Sequence, residues 1–195
     1  MPPPSPHLHL SGTIHRTDGS PRAANISTVS EERRVIDVVV EIPKGSRNKY
    51  EWDPERGIIK LDRRLFSAMT YPADYGFIPE TLAEDGDPLD ALVLCDDPTF
   101  PGCWIVDARP VGVLWMKDEK GDDAKIVCVH DADPYWKDYA DLEDLPQHLM
   151  AEIENFFTVY KMLEPHKSSA TQGYEGPDAA WREIEASFKR ATRSQ

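Results

Sequence analysis

Short apolar runs separated by turn residues are the feature that most restricts how this chain can fold. They occur at residues 58–61, 91–95, 104–116 and 125–129. An alternating stretch precedes them, in which Val38, Val40 and Ile42 share one face while Val39 and Glu41 lie on the other. Several short strands at this spacing predict a small antiparallel barrel.

The apolar spacing changes to three or four residues in the C-terminal third, at Leu149, Ile153, Phe156, Tyr160 and Leu163. This period predicts an amphipathic helix, with Asp144 as its N-cap and Pro146 in its first turn. A second helix is predicted after residues 176–177, and its apolar stripe comprises Trp181, Ile184, Phe188 and Ala191. The predicted class is mainly β, with two helices packed against the barrel.

Residues 1–34 have a different character from the rest, because they are rich in Pro, Ser, Thr and His and show no apolar period. We predict a disordered N-terminal extension there and a single domain at residues 35–195. A targeting peptide is the alternative for the extension, since acids are scarce in it. His7, His9 and His15 belong to this segment, and without a fixed geometry they do not predict a metal site.

The charge balance excludes one class of partner. The 195 residues include 22 Lys and Arg against 35 Asp and Glu, which gives a net charge of −13. Nucleic-acid binding depends on basic surfaces, so no nucleic-acid partner is expected. The sequence has neither an apolar run of about 18 residues nor a secretory signal pattern, and its three cysteines form no C-x-x-C pair. We therefore expect a cytoplasmic protein without a membrane partner.

Three aspartates within six residues form the sharpest local motif: Asp85, Asp87 and Asp90 in Asp-Gly-Asp-Pro-Leu-Asp. Like charges so close together are unfavourable unless cations lie among them, and Mg²⁺ prefers such oxygen ligands. A solvated acidic turn is the alternative interpretation. An EF-hand is excluded because the position that needs Gly is Asp90 and because strands are predicted on both sides.

A second acidic cluster lies at residues 118–125, where Gly121 predicts the turn of a hairpin. The hairpin would bring Asp118 and Asp123 close together, with Lys125 nearby. Taken alone, a charged hairpin tip is common. Scattered Lys, Arg and Tyr side chains complement these acids, and such a mixture suits a substrate with several phosphate oxygens and metal ions.

These residues resemble those of a known family, the soluble inorganic pyrophosphatases of family I, bacterial type. The motif at 85–90 matches the family signature D-x-D-P-x-D. Further segments on both sides of this motif are also similar, and they occur in the same order as in the family along residues 35–165. They are residues 40–43, 48–51, 62–63, 71–76, 109–112, 118–125 and 156–161. The sequence departs from the family pattern after Lys161, which leaves the role of Lys167 and the packing of residues 168–173 open.

The resemblance implies a five-stranded OB-like barrel with two flanking C-terminal helices, and a cytoplasmic homo-oligomer for which a hexamer is favoured. It implies hydrolysis of pyrophosphate to two orthophosphates with several Mg²⁺ ions, for which Mn²⁺ or Zn²⁺ are possible substitutes. The implied metal ligands are Glu41, Asp85, Asp90, Asp118 and Asp123. The implied catalytic residues are Asp87 and Asp123, with Asp87 as the favoured proton acceptor. The implied substrate-binding residues are Lys49, Arg63, Tyr75, Lys125, Tyr160 and Lys161.

Two other functions fit parts of the sequence. One is a catalytically silent module that binds phosphate or metal on the same barrel. The loss of a site carboxylate would favour this function, but all five aspartates are present, namely Asp85, Asp87, Asp90, Asp118 and Asp123. A broader phosphatase would need room for an organic group, which sequence does not reveal. Tyr160 also has two interpretations, because the helical period alone places it in the core.

Overall fold

The computed structural model of the protein describes residues 34–193, so residues 1–33 of the predicted N-terminal extension, with its histidines, lie outside the described residues. The described chain contains eight strands and two α-helices. The strands are β1 (Ile36–Ile42), β2 (Asn48–Asp53), β3 (Ile58–Arg64), β4 (Asp74–Phe77), β5 (Asp90–Leu94), β6 (Trp104–Asp118), β7 (Gly121–His130) and β8 (Ser169–Glu175). The helices are α1 (Gln147–Val159) and α2 (Pro177–Arg193).

Five strands pair in a ring in the order β1, β4, β5, β7 and β6, and the pairing of β6 with β1 completes it. The five-stranded barrel with two C-terminal helices is therefore confirmed. Strand β6 has 15 residues, and its first part pairs with β1 while its last part pairs with β8. One detail of the prediction is wrong, because β5 and β7 run parallel, so the barrel is not wholly antiparallel.

The apolar run at 58–61 is not a barrel strand, contrary to the prediction. It forms β3, which pairs with β2 in a separate two-stranded sheet outside the ring. Ile58 and Leu61 are exposed there, at 46% and 58% of their surface. Strand β4 belongs to the ring, and β8 extends the sheet beside β6. The sequence does not predict either strand, because neither has an apolar alternation.

Two apolar clusters lie on opposite faces of the ring strands. In β5, Leu92 and Leu94 belong to the cluster that includes Phe156 of α1, whereas Ala91 and Val93 belong to the cluster under α2. Residues of β7 divide in the same way. Because both faces are covered, these strands read as continuous apolar runs in the sequence. Val39 of β1 is also buried, so this strand does not have the single apolar face that its alternation predicts.

The start of α1 differs from the prediction. Asp144 is not its N-cap, since it belongs to a short 3₁₀-helix at Leu142–Asp144. There its Oδ2 accepts hydrogen bonds from the backbone N–H groups of Ala140 and Asp141. Helix α1 begins one turn later, with Pro146 at the N-cap. The second helix starts at Pro177, one residue before the predicted position, and its residues Trp181 and Ile184 are buried.

The three cysteines, Cys95, Cys103 and Cys128, are free thiols, and Cys128 is fully buried. Burial raises the pKa of the Cys95 thiol to about 11. Within residues 34–193, none of the helices has the length and apolar character needed to cross a membrane.

Candidate active site

The parallel pairing of β5 and β7 explains how the two acidic clusters meet. Asp90, the first residue of β5, is in register with Lys125 of β7. Parallel strands begin at the same edge of a sheet, so the segments that precede β5 and β7 reach the same rim of the barrel. One is the acidic loop at 84–89, and the other is the β6–β7 turn, which closes at Gly121 opposite Asp118. The predicted hairpin is thus confirmed.

Lys125 is the centre of the most buried group at this rim. Its Nζ donates hydrogen bonds to both carboxylate oxygens of Asp123, at 2.5 and 2.6 Å, and to Oδ2 of Asp90. The Tyr75 hydroxyl donates to the same Asp90 oxygen at 2.6 Å. Burial opposes the charge of Lys125, but Asp90 and Asp123 outweigh it and raise the pKa of the ammonium group above its usual value. Lys125 is therefore a permanent cation.

A second group lies at the end of β6. The Nζ of Lys161 donates to Oδ2 of Asp118 at 2.8 Å and to Oε2 of Glu119 at 3.5 Å. Lys167 donates to the other oxygen of Glu119 at 2.6 Å. Burial raises the pKa of Glu119, but the hydrogen bond from Lys167, backbone hydrogen bonds and the charge of Lys161 together outweigh burial and lower it to about 2. Lys167, whose role the sequence leaves open, thus contacts the residue next to Asp118.

Lys120 joins the β6–β7 turn to the acidic loop. Its Nζ lies 2.6 Å from Oδ2 of Asp87 and 3.5 Å from Oδ2 of Asp85. The side chain is half exposed, at 51% of its surface. Sequence reasoning missed this residue, because only the tertiary proximity of the two segments gives it a partner.

The β2–β3 hairpin also contributes side chains to this site. Lys49 donates to Oε1 of Glu51 at 2.5 Å, and Arg63 is paired with Lys49 in the register of the two strands. The carboxylate of Glu41, on β1, accepts a hydrogen bond of 2.6 Å from the backbone N–H of Trp52. Burial raises the pKa of Glu41 to about 7 despite that hydrogen bond.

All twelve residues singled out from the sequence line one cavity of about 800 Å³. Tyr160 is both a core residue and a cavity residue, because its ring packs on Phe156 and Phe157 while it also lines the cavity. Among the described residues, nine acidic and six basic side chains line this cavity, so three carboxylates are in excess. Oxygen-rich, negatively charged surroundings of this kind suit hard divalent cations.

The carboxylates are not gathered around common points. Within the part of the chain that the structure describes, no three His, Cys, Asp or Glu side chains are arranged as a ready metal site. Lysines 120, 125 and 161 lie between the carboxylates instead. The donor set therefore fits divalent ions in its chemistry and its net charge.

Comparison with known proteins identifies the family. The model of the family described as inorganic pyrophosphatase matches residues 38–192. This chain belongs to the inorganic pyrophosphatase family. The match includes both acidic clusters, the β2–β3 hairpin and α1, so it covers every part of the cavity. The similarity to the family that the motifs indicate is confirmed.

Individual relatives agree with the family match. An inorganic pyrophosphatase of Methanosarcina acetivorans is 59% identical over 149 residues, which are 76% of this chain and 88% of the relative. One of Streptomyces coelicolor is 53% identical over 155 residues, or 80% and 94% of the two chains. The crystal structure of the inorganic pyrophosphatase from Thermus thermophilus has a TM-score of 0.80 and 45% identity, and the match covers 86% of this chain and 96% of that one.

Proposed function

We propose that this chain hydrolyses inorganic pyrophosphate to two orthophosphates by a metal-activated water, and that Mg²⁺ is the ion. Membership of the pyrophosphatase family supports the reaction, and family members are metal-dependent. The observation that carries the proposal is the cavity in which excess carboxylates face Lys, Arg and Tyr donors. A carboxylate surplus alone would repel pyrophosphate, and cations alone would leave no place for metal ions.

The residues that would hold the ions are Asp85, Asp90, Asp118 and Asp123, with Glu41 acting through water. Bound Mg²⁺ would lower the pKa of a coordinated water and neutralise phosphate oxygens. The substrate would be held by the cations Lys49, Arg63, Lys125 and Lys161 and by the hydroxyls of Tyr75 and Tyr160. These donors offset charge on the phosphoryl oxygens and orient the substrate.

The proton of the attacking water would pass to Asp87. In support, the recorded side-chain contact of Asp87 among the described residues is with the half-exposed Lys120, through Oδ2. Asp123 is the alternative base, but both of its oxygens accept hydrogen bonds from the permanent cation Lys125. These contacts occupy both oxygens of Asp123, which supports Asp87 as the acceptor. Burial, opposed by Lys125, raises the pKa of the Asp123 carboxyl to about 6, so Asp123 keeps the role of alternative base.

The first experiment is an assay of orthophosphate release from pyrophosphate, with and without Mg²⁺, beside an assay on a simple phosphomonoester. We expect Mg²⁺-dependent release from pyrophosphate and none from the phosphomonoester. Comparable rates on both substrates would favour a broader phosphatase. The absence of release with Mg²⁺, Mn²⁺ or Zn²⁺ would leave a silent binding module as the function.

Replacing Mg²⁺ by Ca²⁺ should abolish most of the hydrolysis while Ca²⁺ still binds. Ca²⁺ takes six to eight oxygen ligands at longer distances, so it orients water less strictly and acidifies it less. We expect Ca²⁺ added to the Mg²⁺-loaded enzyme to inhibit phosphate release, and excess Mg²⁺ to restore it. Equal rates with the two ions would contradict the proposed role of an ordered metal shell.

Lys120→Met should tighten the binding of Mg²⁺ in the absence of substrate. The ammonium group pairs with Asp85 and Asp87, so it would compete with an ion for the Asp85 carboxylate. An exposed ion pair contributes about 0.2–1 kcal/mol, so the dissociation constant measured by titration calorimetry should fall about fivefold at most. Lys117→Met is the matched control, since Lys117 is exposed on the same hairpin but contacts Asp122. If both variants bind Mg²⁺ more tightly by the same factor, the effect comes from the change in net charge and not from the contacts of Lys120.

Three further properties remain predictions: the cytoplasmic location, assembly into a homo-oligomer such as a hexamer, and the boundary of a single catalytic domain at residue 35. The burial of Val35 and the position of Arg34 over the Trp181 ring support a domain start near residue 35.

A further inference from the structure

Glu164 is a buried carboxylate to which the proposed function gives no role. It lies in the turn that follows α1, and its side chain is only 5% exposed. Its Oε1 accepts a hydrogen bond of 3.1 Å from Nη2 of Arg63, and its Oε2 lies 2.8 Å from the same nitrogen in an ion pair. A buried carboxylate is costly unless it is paired, so the contact with Arg63 is what makes this burial possible.

Arg63 has a second carboxylate partner, but of a different kind. Its Nη1 donates to Oδ2 of Asp62 at 2.5 Å. Asp62 precedes Arg63 in the same strand, so it moves together with the hairpin and cannot fix the guanidinium relative to the barrel. Glu164 is 101 residues away in sequence and belongs to a different element. The Glu164 contact is therefore the one that sets the position of the guanidinium in the cavity.

The turn that bears Glu164 also bears proposed substrate-binding residues. The backbone N–H of Glu164 donates to the carbonyl of Lys161 at 2.8 Å, and that of Met162 donates to Val159 at 3.0 Å. Tyr160 and Lys161 lie in this turn and line the cavity. The Arg63–Glu164 pair thus joins the turn to the β2–β3 hairpin, which contributes Lys49 and Arg63.

We propose that Glu164 is a positioning residue for pyrophosphate hydrolysis, which holds the Arg63 guanidinium in the orientation that a phosphoryl group requires. This inference rests on the proposed function. An arginine side chain has many rotamers, and a partner that selects one of them before the substrate arrives lowers the cost of binding. Glu164 itself does not line the cavity, so it acts through Arg63.

A double-mutant cycle tests the proposal. Glu164→Gln keeps the size of the side chain but removes its charge, and we expect kcat/KM for pyrophosphate to fall about 10- to 100-fold, since a misplaced group costs up to about 100-fold. In an Arg63→Ala background the same change should alter kcat/KM less than about twofold, because the residue acts through Arg63. Equal losses in both backgrounds would show a structural role and overturn the proposal.

A binding measurement separates this inference from the proposed reaction. Calorimetric titration measures the affinity for methylenediphosphonate, which is not hydrolysed. Glu164→Gln should weaken this affinity when Arg63 is present and change it little in the Arg63→Ala background, even if turnover is absent. Additive losses of affinity would overturn the positioning role whether or not the enzyme hydrolyses pyrophosphate. Glu152→Gln is the matched control, since Glu152 is exposed on α1 and contacts His148, and it should change neither quantity.

Discussion

Asp87→Asn is expected to lower kcat for pyrophosphate about 100- to 10,000-fold, the range in which a positioned general base contributes to catalysis. The amide keeps the shape of the side chain but cannot accept the proton of the attacking water. The Asp87 side chain is 64% exposed, so its replacement should change the free energy of unfolding by no more than about 0.5 kcal/mol. Steady-state phosphate release at saturating Mg²⁺ and thermal unfolding together check both statements.

Asp122→Asn is the control for this experiment. Its side chain is also 64% exposed, and its ion-pair partner is Lys117 on the adjacent strand. It should retain the activity of the unmodified enzyme. A small effect of Asp87→Asn together with a large effect of Asp123→Asn would transfer the role of base to Asp123, and it would contradict the geometric argument based on Lys125.

Gly76→Ala should destabilise the fold strongly. A Cβ atom at residue 76 would lie 1.9 Å from the carbonyl oxygen of Val39 and 2.9 Å from Cα of Val40. These are backbone atoms of the paired strand β1, so relief requires β1 and β4 to separate. We expect a loss of about 3 kcal/mol, the upper part of the usual range for over-packing. For a domain of this size that corresponds to a fall in Tm of about 6–12 °C.

The same substitution at Gly176 provides the comparison. A Cβ atom there would meet the Asp141 carboxylate at 3.5 Å, which is an ordinary contact. Gly176→Ala should therefore leave Tm nearly unchanged in the same calorimetric scan. If both variants unfold at the temperature of the original protein, the close approach of β4 to β1 is not a constraint on stability.

Much of the fold follows from local patterns, and the exceptions have physical reasons. The apolar runs predict β5, β6 and β7 because burial on both faces requires such runs. Strand β4 has only four residues, all buried, and includes Asp74 and Gly76, so it has no alternation to detect. The run that forms β3 resembles a barrel strand, but its apolar side chains are exposed, and burial is decided by tertiary packing rather than by composition.

The candidate site is predicted more completely than the fold, because its residues carry charges whose clustering is visible in the sequence. What the sequence does not show is which charges meet. Lys120 and Glu164 acquire their partners only because the β6–β7 turn faces the acidic loop and the turn after α1 faces the hairpin. Contacts that join segments 33 and 101 residues apart leave no periodic signal along the chain.

Strand β8 affects how the folded molecule behaves in concentrated solution. The ring of five strands has no open edge, but β8 is recorded as pairing with β6 alone, so among the described residues its other side is an edge. Exposed edges invite other chains to add as further strands. The sequence Ser-Ala-Thr-Gln-Gly-Tyr-Glu is mostly polar, and Gly173 has a φ of 101° beside an irregularity in the pairing with β6. A polar, bent edge of this kind opposes edge-to-edge aggregation.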